Sequence, residues 1–335
     1  MHKPLTLEPV THAGAYAGLS KAASLWPSPQ DIGERPLIWV NGRLLPKNQA
    51  MVSVYDHGLL YGDGVFEGIR VYRGKIFKCA QHMKRLYECA EKIHLKIPVT
   101  PDEMVLIQRQ CIEANNLTEG YIRLVVTRGY GTLGLDPRRC PVPGIICIAD
   151  QISLYGNEFY ENGMRVVVAK RPKTPRECLD PRIKSLNYLN NILAKVEAIN
   201  AGCDEAIMLS PDGWVTECTG DNIFVVKNGV VHTPPHTTGV SGSLEGITER
   251  FVREELIPMC GLRCVVKEMR LEEVLNADEV FLTGTAAEII GVNEVDLDGP
   301  GKAPGKKISQ GEGPITNRLR KKFREVVTSD HVPED

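Results

Sequence analysis

The sequence predicts a mixed α+β (or α/β) chain in two halves. Three observations carry this reading. With 335 residues, the chain is long enough for two domains of ordinary size or one large one. Strand-like and helix-like segments interleave without a strict βαβ rhythm. The strand pattern also breaks once, between Asp150 and Asn162, before a new strand begins at Met164. The expected organisation is an extension over 1–35, a small α/β domain over 36–149, a connecting loop over 150–162, a larger domain over 163–328, and a tail over 329–335.

Residues 1–35 carry little periodicity. From Ile38 the pattern suits strands: LIWV, the turn Asn41-Gly42, then RLLP and VSVY up to Asp56. VFEGIRVY and KIFKC form a second pair about the turn Arg73-Gly74. Met83, Leu86, Ala90 and Ile93 recur at helical spacing over about 81–94, and a second helix is expected over about 101–115. YIRLVVTRG and GIICIAD are strands separated by a Gly- and Pro-rich loop over 129–144. After the break come the strand MRVVVAK, a proline-rich loop over 170–183, and a helix over about 186–201. That helix is expected to bury Leu186, Leu189, Leu193 and Val196 and to stop at Gly202. Short strands EAIML, WVTEC, NIFVV and VVHT follow, with hairpin turns at Pro211-Asp212-Gly213 and Asn228-Gly229. A helix opens near Gly246–Thr248, strands LRCVV and EVFLTG flank a short acidic helix at 271–276, and a last helix covers about 314–327.

Composition excludes several classes. Hydrophobic residues at 42% and charged residues at 24% support a buried core rather than disorder. Lys plus Arg at 40 against Asp plus Glu at 42 leaves no basic excess for nucleic acid or a membrane surface. No apolar run approaches the ~18 residues of a spanning helix, and the N-terminus lacks the layout of a secretion signal. The ten cysteines form no Cys-x-x-Cys, so buried, reduced thiols in a cytoplasmic protein are expected, with no metal site.

Five elements can carry chemistry. Lys184 lies between the proline-rich loop and a helix, where its amine can project into a cleft, although a lone lysine is ordinarily a solvated surface group. Glu217 shares a strand face with Val215, and a buried carboxylate needs a positive partner; its ordinary reading is an exposed hairpin residue. The segment Leu244-Glu245-Gly246-Ile247-Thr248 opens a helix whose free amides suit an anion, or form a simple cap. Thr283-Gly284-Thr285-Ala286-Ala287 follows a strand and can present amides to phosphate or carboxylate, or be an ordinary turn. Arg85 is a polar residue between apolar helix positions, suited to phosphate or to a surface ion pair. One amine, one carboxylate, one arginine and two amide-rich turns match the needs of pyridoxal 5′-phosphate. Spacing alone does not establish that they converge.

The blocks Tyr61-Gly62-Asp63-Gly64-Val65-Phe66-Glu67-Gly68-Ile69-Arg70, His82-Met83-Lys84-Arg85-Leu86, Tyr121-Ile122-Arg123, Lys184-Ser185-Leu186-Asn187-Tyr188-Leu189, Glu217 with Asn222-Ile223-Phe224, Gly246-Ile247-Thr248 and Gly284-Thr285-Ala286-Ala287-Glu288 carry a resemblance. Over roughly 37–328 the chain resembles the fold-type IV pyridoxal-phosphate enzymes, and among them the branched-chain amino acid aminotransferases. The resemblance implies two domains with the cofactor in the cleft between them. It implies Lys184 as Schiff-base lysine and general acid/base, Glu217 on the pyridine nitrogen, and Tyr188 on the ring's 3′ oxygen. Arg85, Ile247, Thr248 and Thr285 would hold the phosphate, and Leu244 would pack on the ring. Tyr61, Phe66, Gly68 and Tyr121 would line the substrate side, with the turn at Thr285 and Ala286 taking the α-carboxylate. Arg70 and Arg123 would admit the second carboxylate of glutamate, and Tyr155 would come from a lid or a partner subunit. The implied substrates are Leu, Ile and Val with 2-oxoglutarate/glutamate, in a homodimer or higher homo-oligomer. A D-amino acid or (R)-amine aminotransferase, or an aminodeoxychorismate-type lyase, shares the fold and stays open. Glu245 replaces a more usual proline, and Gln151-Ile152-Ser153-Leu154-Tyr155-Gly156 departs from the usual aromatic-Gly-Ala-Tyr pattern.

Overall fold

The computed structural model describes residues 28–152, 156–236, 242–297 and 305–334. Two sheets organise them. The first contains β1 (Leu37–Val40), β2 (Arg43–Pro46), β3 (Gly64–Tyr72), β4 (Lys75–Ile76), β5 (Gly120–Thr127) and β6 (Gly144–Asp150). Its order is β2-β1-β6-β5-β3-β4, and every pairing is antiparallel. Four helices accompany this half: α1 (Pro29–Ile32), α2 (His57–Tyr61), α3 (Cys79–Lys92) and α4 (Pro101–Ala114). Helix α4 begins as the sequence dictates: Thr100 caps the Glu103 amide, Glu103 caps back, and Pro101 occupies the first turn. Met83, Leu86, Ala90, Met104, Ile107 and Cys111 from α3 and α4 pack on Val65, Ile69, Ile122 and Leu124 of the sheet.

The second sheet has nine strands. They are β7 (Met164–Val168), β8 (Glu205–Leu209), β9 (Val215–Cys218), β10 (Asn222–Lys227), β11 (Val230–Thr233), β12 (Cys264–Val266), β13 (Glu279–Gly284), β14 (Glu288–Asp296) and β15 (Lys306–Lys307). The order is β12-β11-β10-β13-β14-β7-β8-β9, with β15 on β14. Three pairings are parallel (β11/β12, β14/β7 and β7/β8) and the others antiparallel. The helices are α5 (Asn157–Asn162), α6 (Leu189–Asn200), α7 (Ile247–Phe251), α8 (Ile257–Met259), α9 (Leu271–Leu275) and α10 (Pro314–Val327), with a π-helical turn at Val252–Leu256 joining α7 to α8. Phe251, Leu256, Leu319 and Phe323 pack on Phe224 and Phe281. Tyr72 and Phe77, from the first half of the chain, enter this same core, and the Tyr72 hydroxyl donates to Glu288 at 2.8 Å.

Two expectations are corrected. Val52 to Tyr55 form no strand; Val54 is 70% exposed. Helix α6 starts at Leu189 and buries Ala194 and Ala198, while Leu189, Leu193 and Val196 face outward. The alanines let the helix backbone sit close to β7 and β8, against Val167, Ala206 and Met208. The helix carries apolar residues on two faces, and the small ones won the sheet. All ten cysteines are free, and seven of them are buried. Among the described residues no helix is long and apolar enough to cross a membrane, and no cluster of three metal-ligating side chains occurs.

Candidate active site

Lys184 sits where the two sheets meet. The short strand β4 covers only Val71 and Tyr72 of β3, so the start of β3 has a free edge. The segment around Ser185 fills it: the Phe66 amide donates to the Lys184 carbonyl at 3.0 Å, and the Leu186 amide donates to the Gly64 carbonyl at 3.0 Å. These bonds fix the root of the side chain. The Nζ atom then donates to the Tyr188 hydroxyl at 3.2 Å and lies 4.6 Å from the centre of the Phe66 ring. Burial, followed by the nearby Arg85 charge, pulls its pKa down from 10.5 to about 8. An amine poised there gains and loses a proton close to neutral pH.

A cavity of about 280 Å³ opens on this amine. Phe66, Gly68, Tyr121, Arg123, Tyr188, Thr285 and Ala286 line it, together with Ile152, Glu205, Gly220 and Asp221. A side chain at position 68 would force Tyr121 to move, because a Cβ there would lie 1.9 Å from the Tyr121 hydroxyl. Arg123 stacks over the Phe66 and Tyr121 rings at 4.7 and 5.4 Å. Asp221 is perturbed as well: burial, and then the Glu205 charge, push its carboxyl up to about 7.

Glu217, on β9, lies at an adjoining cavity with Leu244, Asn191 and Lys173, and Tyr188 lines both cavities. Its Oε2 accepts from the Leu244 amide at 3.1 Å and from the Asn222 side chain at 3.4 Å. Its Oε1 is 2.6 Å from the Lys173 ammonium. Burial, and then the Glu217 charge, raise the Tyr188 phenol to about 12, so it keeps its proton as a donor.

Arg85 projects from α3 towards the start of α7. Its Nε and Nη2 donate to the two oxygens of Glu67, both at 2.7 Å, and its Nη1 donates to the Glu245 carbonyl at 2.6 Å. A guanidinium has five N–H donors, so two remain beyond these three bonds. Helix α7 has no side-chain cap, which leaves its first amides for an anion. Glu67 is fully buried; burial alone would raise its carboxyl, yet Arg85 and His82 hold it well below the usual carboxylate range.

The structure therefore gathers Lys184, Tyr188, Phe66, Gly68, Tyr121, Arg123, Thr285 and Ala286 at one cavity. Glu217 and Leu244 lie at the next, and Arg85, bonded to the Glu245 carbonyl, reaches the start of α7, where Ile247 and Thr248 lie outside both cavity linings. Two further expected residues stand apart. Tyr61 accepts from the Gly134 amide at 2.9 Å and lies edge-on to His57, outside the cavity lining. Arg70 alternates onto the same face of β3 as Phe66 and Gly68, but it lies further along the twisting strand, beyond the cavity lining. There it turns to the buried acid Glu288 at 3.6 Å and over the Tyr72 ring. Tyr155 lies outside the described residues. Sequence reasoning missed Glu67, His82, Asp221, Glu205 and Lys173. Glu67 had a signal: the one acid in a strand that is apolar on both faces apart from Arg70 requires a buried cation.

Comparison with known proteins shows the family. The model of the family described as amino-transferase class IV matches residues 64–295. A putative branched-chain-amino-acid aminotransferase of Methanocaldococcus jannaschii is 46% identical over 293 residues, 87% of this chain and 96% of that protein. A crystal structure of the Escherichia coli branched-chain amino acid aminotransferase aligns with a TM-score of 0.81 at 33% identity, over 87% of this chain and 94% of that one. A T.th. branched-chain amino acid aminotransferase, solved with pyridoxamine 5′-phosphate, aligns with a TM-score of 0.79 at 34% identity, over 87% and 94%. On its sequence and its fold, the chain belongs to the class IV aminotransferase family.

Proposed function

We propose that this enzyme moves an amino group between the branched-chain L-amino acids Leu, Ile and Val and 2-oxoglutarate, with pyridoxal 5′-phosphate as cofactor. The donor set fits that cofactor: a low-pKa amine at one cavity, a buried carboxylate at its neighbour, a shared phenol that keeps its proton, and an arginine beside an uncapped helix start. When bound, the cofactor supplies an aldehyde that links to an amine and a ring that accepts electrons.

The protein's own residues do the rest. Lys184 offers Nζ for that link and for holding and returning a proton, which a pKa of about 8 permits. Glu217 would hold the ring nitrogen, Tyr188 would donate to the ring oxygen, and Leu244 would pack on the ring. Arg85, Ile247, Thr248 and Thr285 would bind the phosphate. The pairing of Arg85 with Glu67 fixes the direction of the guanidinium before any ligand arrives.

One observation carries the substrate reading: Phe66, Tyr121, Ile152 and Ala286 share a single cavity with Arg123. The apolar walls suit a branched side chain, and the guanidinium suits the second carboxylate of glutamate. The turn at Thr285 and Ala286 takes the α-carboxylate. The relatives above, named as branched-chain aminotransferases, support the same reading. A cytoplasmic homodimer or higher homo-oligomer completes it, and large apolar side chains left outward, such as Leu133, Leu135, Leu189 and Ile199, suit subunit contacts.

The test is a half-reaction screen. Each amino acid is added in turn to the enzyme loaded with pyridoxal phosphate, and its visible band is followed. L-leucine, L-isoleucine, L-valine and L-glutamate should convert the cofactor to its amine form. Conversion by D-alanine but not by L-leucine would overturn the reading in favour of a D-amino acid enzyme. Turnover of aminodeoxychorismate alone would overturn it in favour of a lyase.

A further inference from the structure

Lys173 lies in the proline-rich loop between β7 and α6, a segment with no helical or strand pattern. It is 7% exposed. Its amide donates to the Leu209 carbonyl at 2.8 Å, which anchors the loop to β8. Its Nζ reaches Glu217 Oε1 at 2.6 Å and Asn191 Oδ1 at 3.3 Å. Asn191 is itself held, donating to the Thr219 carbonyl at 2.7 Å. A lysine is rarely buried unless paired, and this one is paired with the carboxylate assigned to the ring nitrogen of the cofactor.

We propose that Lys173 is a positioning residue that shares Glu217 with the cofactor's ring nitrogen and tempers the carboxylate's hold on it. This rests on the pairing of Glu217 with that nitrogen. Glu217 has two oxygens. The Leu244 amide and the Asn222 side chain aim Oε2, and the Lys173 ammonium draws on Oε1. The charge of this carboxylate raises the Tyr188 phenol and the Asp221 carboxyl, and among the described residues Lys173 is the cation in contact with it. A carboxylate shared between two cations attracts each less than it would attract one alone. The ring nitrogen is therefore held protonated by a partner whose charge is already partly spent. Removing the ammonium leaves the ring N–H as the carboxylate's one cationic contact and strengthens its grip.

The experiment compares dissociation constants for pyridoxal 5′-phosphate and for its 1-deaza analogue, whose ring carries a C–H in place of the nitrogen. The ratio of the two reports the Glu217–nitrogen contact and cancels phosphate and aldehyde binding. In Lys173→Met and in Lys173→Gln the preference for the natural cofactor should rise by about tenfold or more. Lys173→Arg should restore the wild-type ratio. In Glu217→Gln the preference should collapse towards one. A ratio unchanged or lowered in both neutral variants, while Glu217→Gln still collapses it, overturns the role of Lys173 and leaves the role of Glu217 standing. A ratio that Glu217→Gln leaves intact overturns the assignment of Glu217, and the proposal with it. Thermal melts of each variant identify any that fails to fold, and the second neutral variant then decides.

Discussion

Replacing Lys184 with methionine should stabilise the protein when it is stripped of small molecules, and the gain should depend on pH in a defined way. The ammonium is held among Arg85, Arg123, Phe66 and Tyr188, where burial is the foremost cost. A pKa lowered from 10.5 to about 8 corresponds to a penalty on the order of 3 kcal/mol on the charged form. Methionine keeps the stem's volume and removes the charge. Below pH 8 the lysine is protonated in both folded and unfolded chains, so the penalty is fully present. Between about 8 and 10.5 the unfolded chain holds a proton that the folded one has released, so wild-type stability rises with pH. Above 10.5 the penalty is gone. With an unfolding entropy of about 0.7 kcal/mol/K for a chain of this length, the variant should melt roughly 4 °C higher at neutral pH. That advantage should shrink to nothing by about pH 10.5. The assay is differential scanning fluorimetry of both proteins over pH 6.5–11, read as a difference so that other titrations cancel. A difference that is flat with pH, or that widens as pH rises, refutes the reasoning.

Further outcomes follow from single contacts. Glu67→Gln breaks a fully buried pairing with Arg85 and His82; it should cost about 3–5 kcal/mol in urea unfolding and weaken cofactor retention in a dialysis assay. Gly68→Ala places a Cβ against the Tyr121 hydroxyl, so KM for leucine should rise steeply while cofactor affinity stays near wild type. Because the Asp221 carboxyl titrates at about 7 at the cavity wall, KM for glutamate should climb as pH passes upward through 7 and negative charge appears. Asp221→Asn should flatten that climb. Arg123→Met should raise KM for glutamate far more than for leucine, and Arg70→Met should not show this split, since Arg70 is turned away towards Glu288.

Much of this fold is legible in the sequence because period and punctuation agree. Helix α10 runs Pro314–Val327, and α4 begins at its capping box. The failures have physical causes. In α6 the sequence carries large apolar residues on one side and alanines on the other, and pattern alone favours the larger ones; close packing on the sheet favours Ala194 and Ala198. At the site, residues in dense motifs such as Phe66, Gly68 and Tyr188 are readable by position. Arg70 is readable by type but not by direction, because its destination depends on Glu288, 218 positions away. Lys173 has no local signal at all, since only the tertiary fold brings its loop to Glu217.

The root of Lys184 is stitched to β3 by two backbone hydrogen bonds, although its own segment precedes α6 and belongs to the later half of the chain. Cutting the polypeptide near residue 151 would thus yield one piece bearing Lys184 and another bearing the strand that fixes its root. Neither piece would be competent by itself, and complementation on mixing would depend on rebuilding that seam.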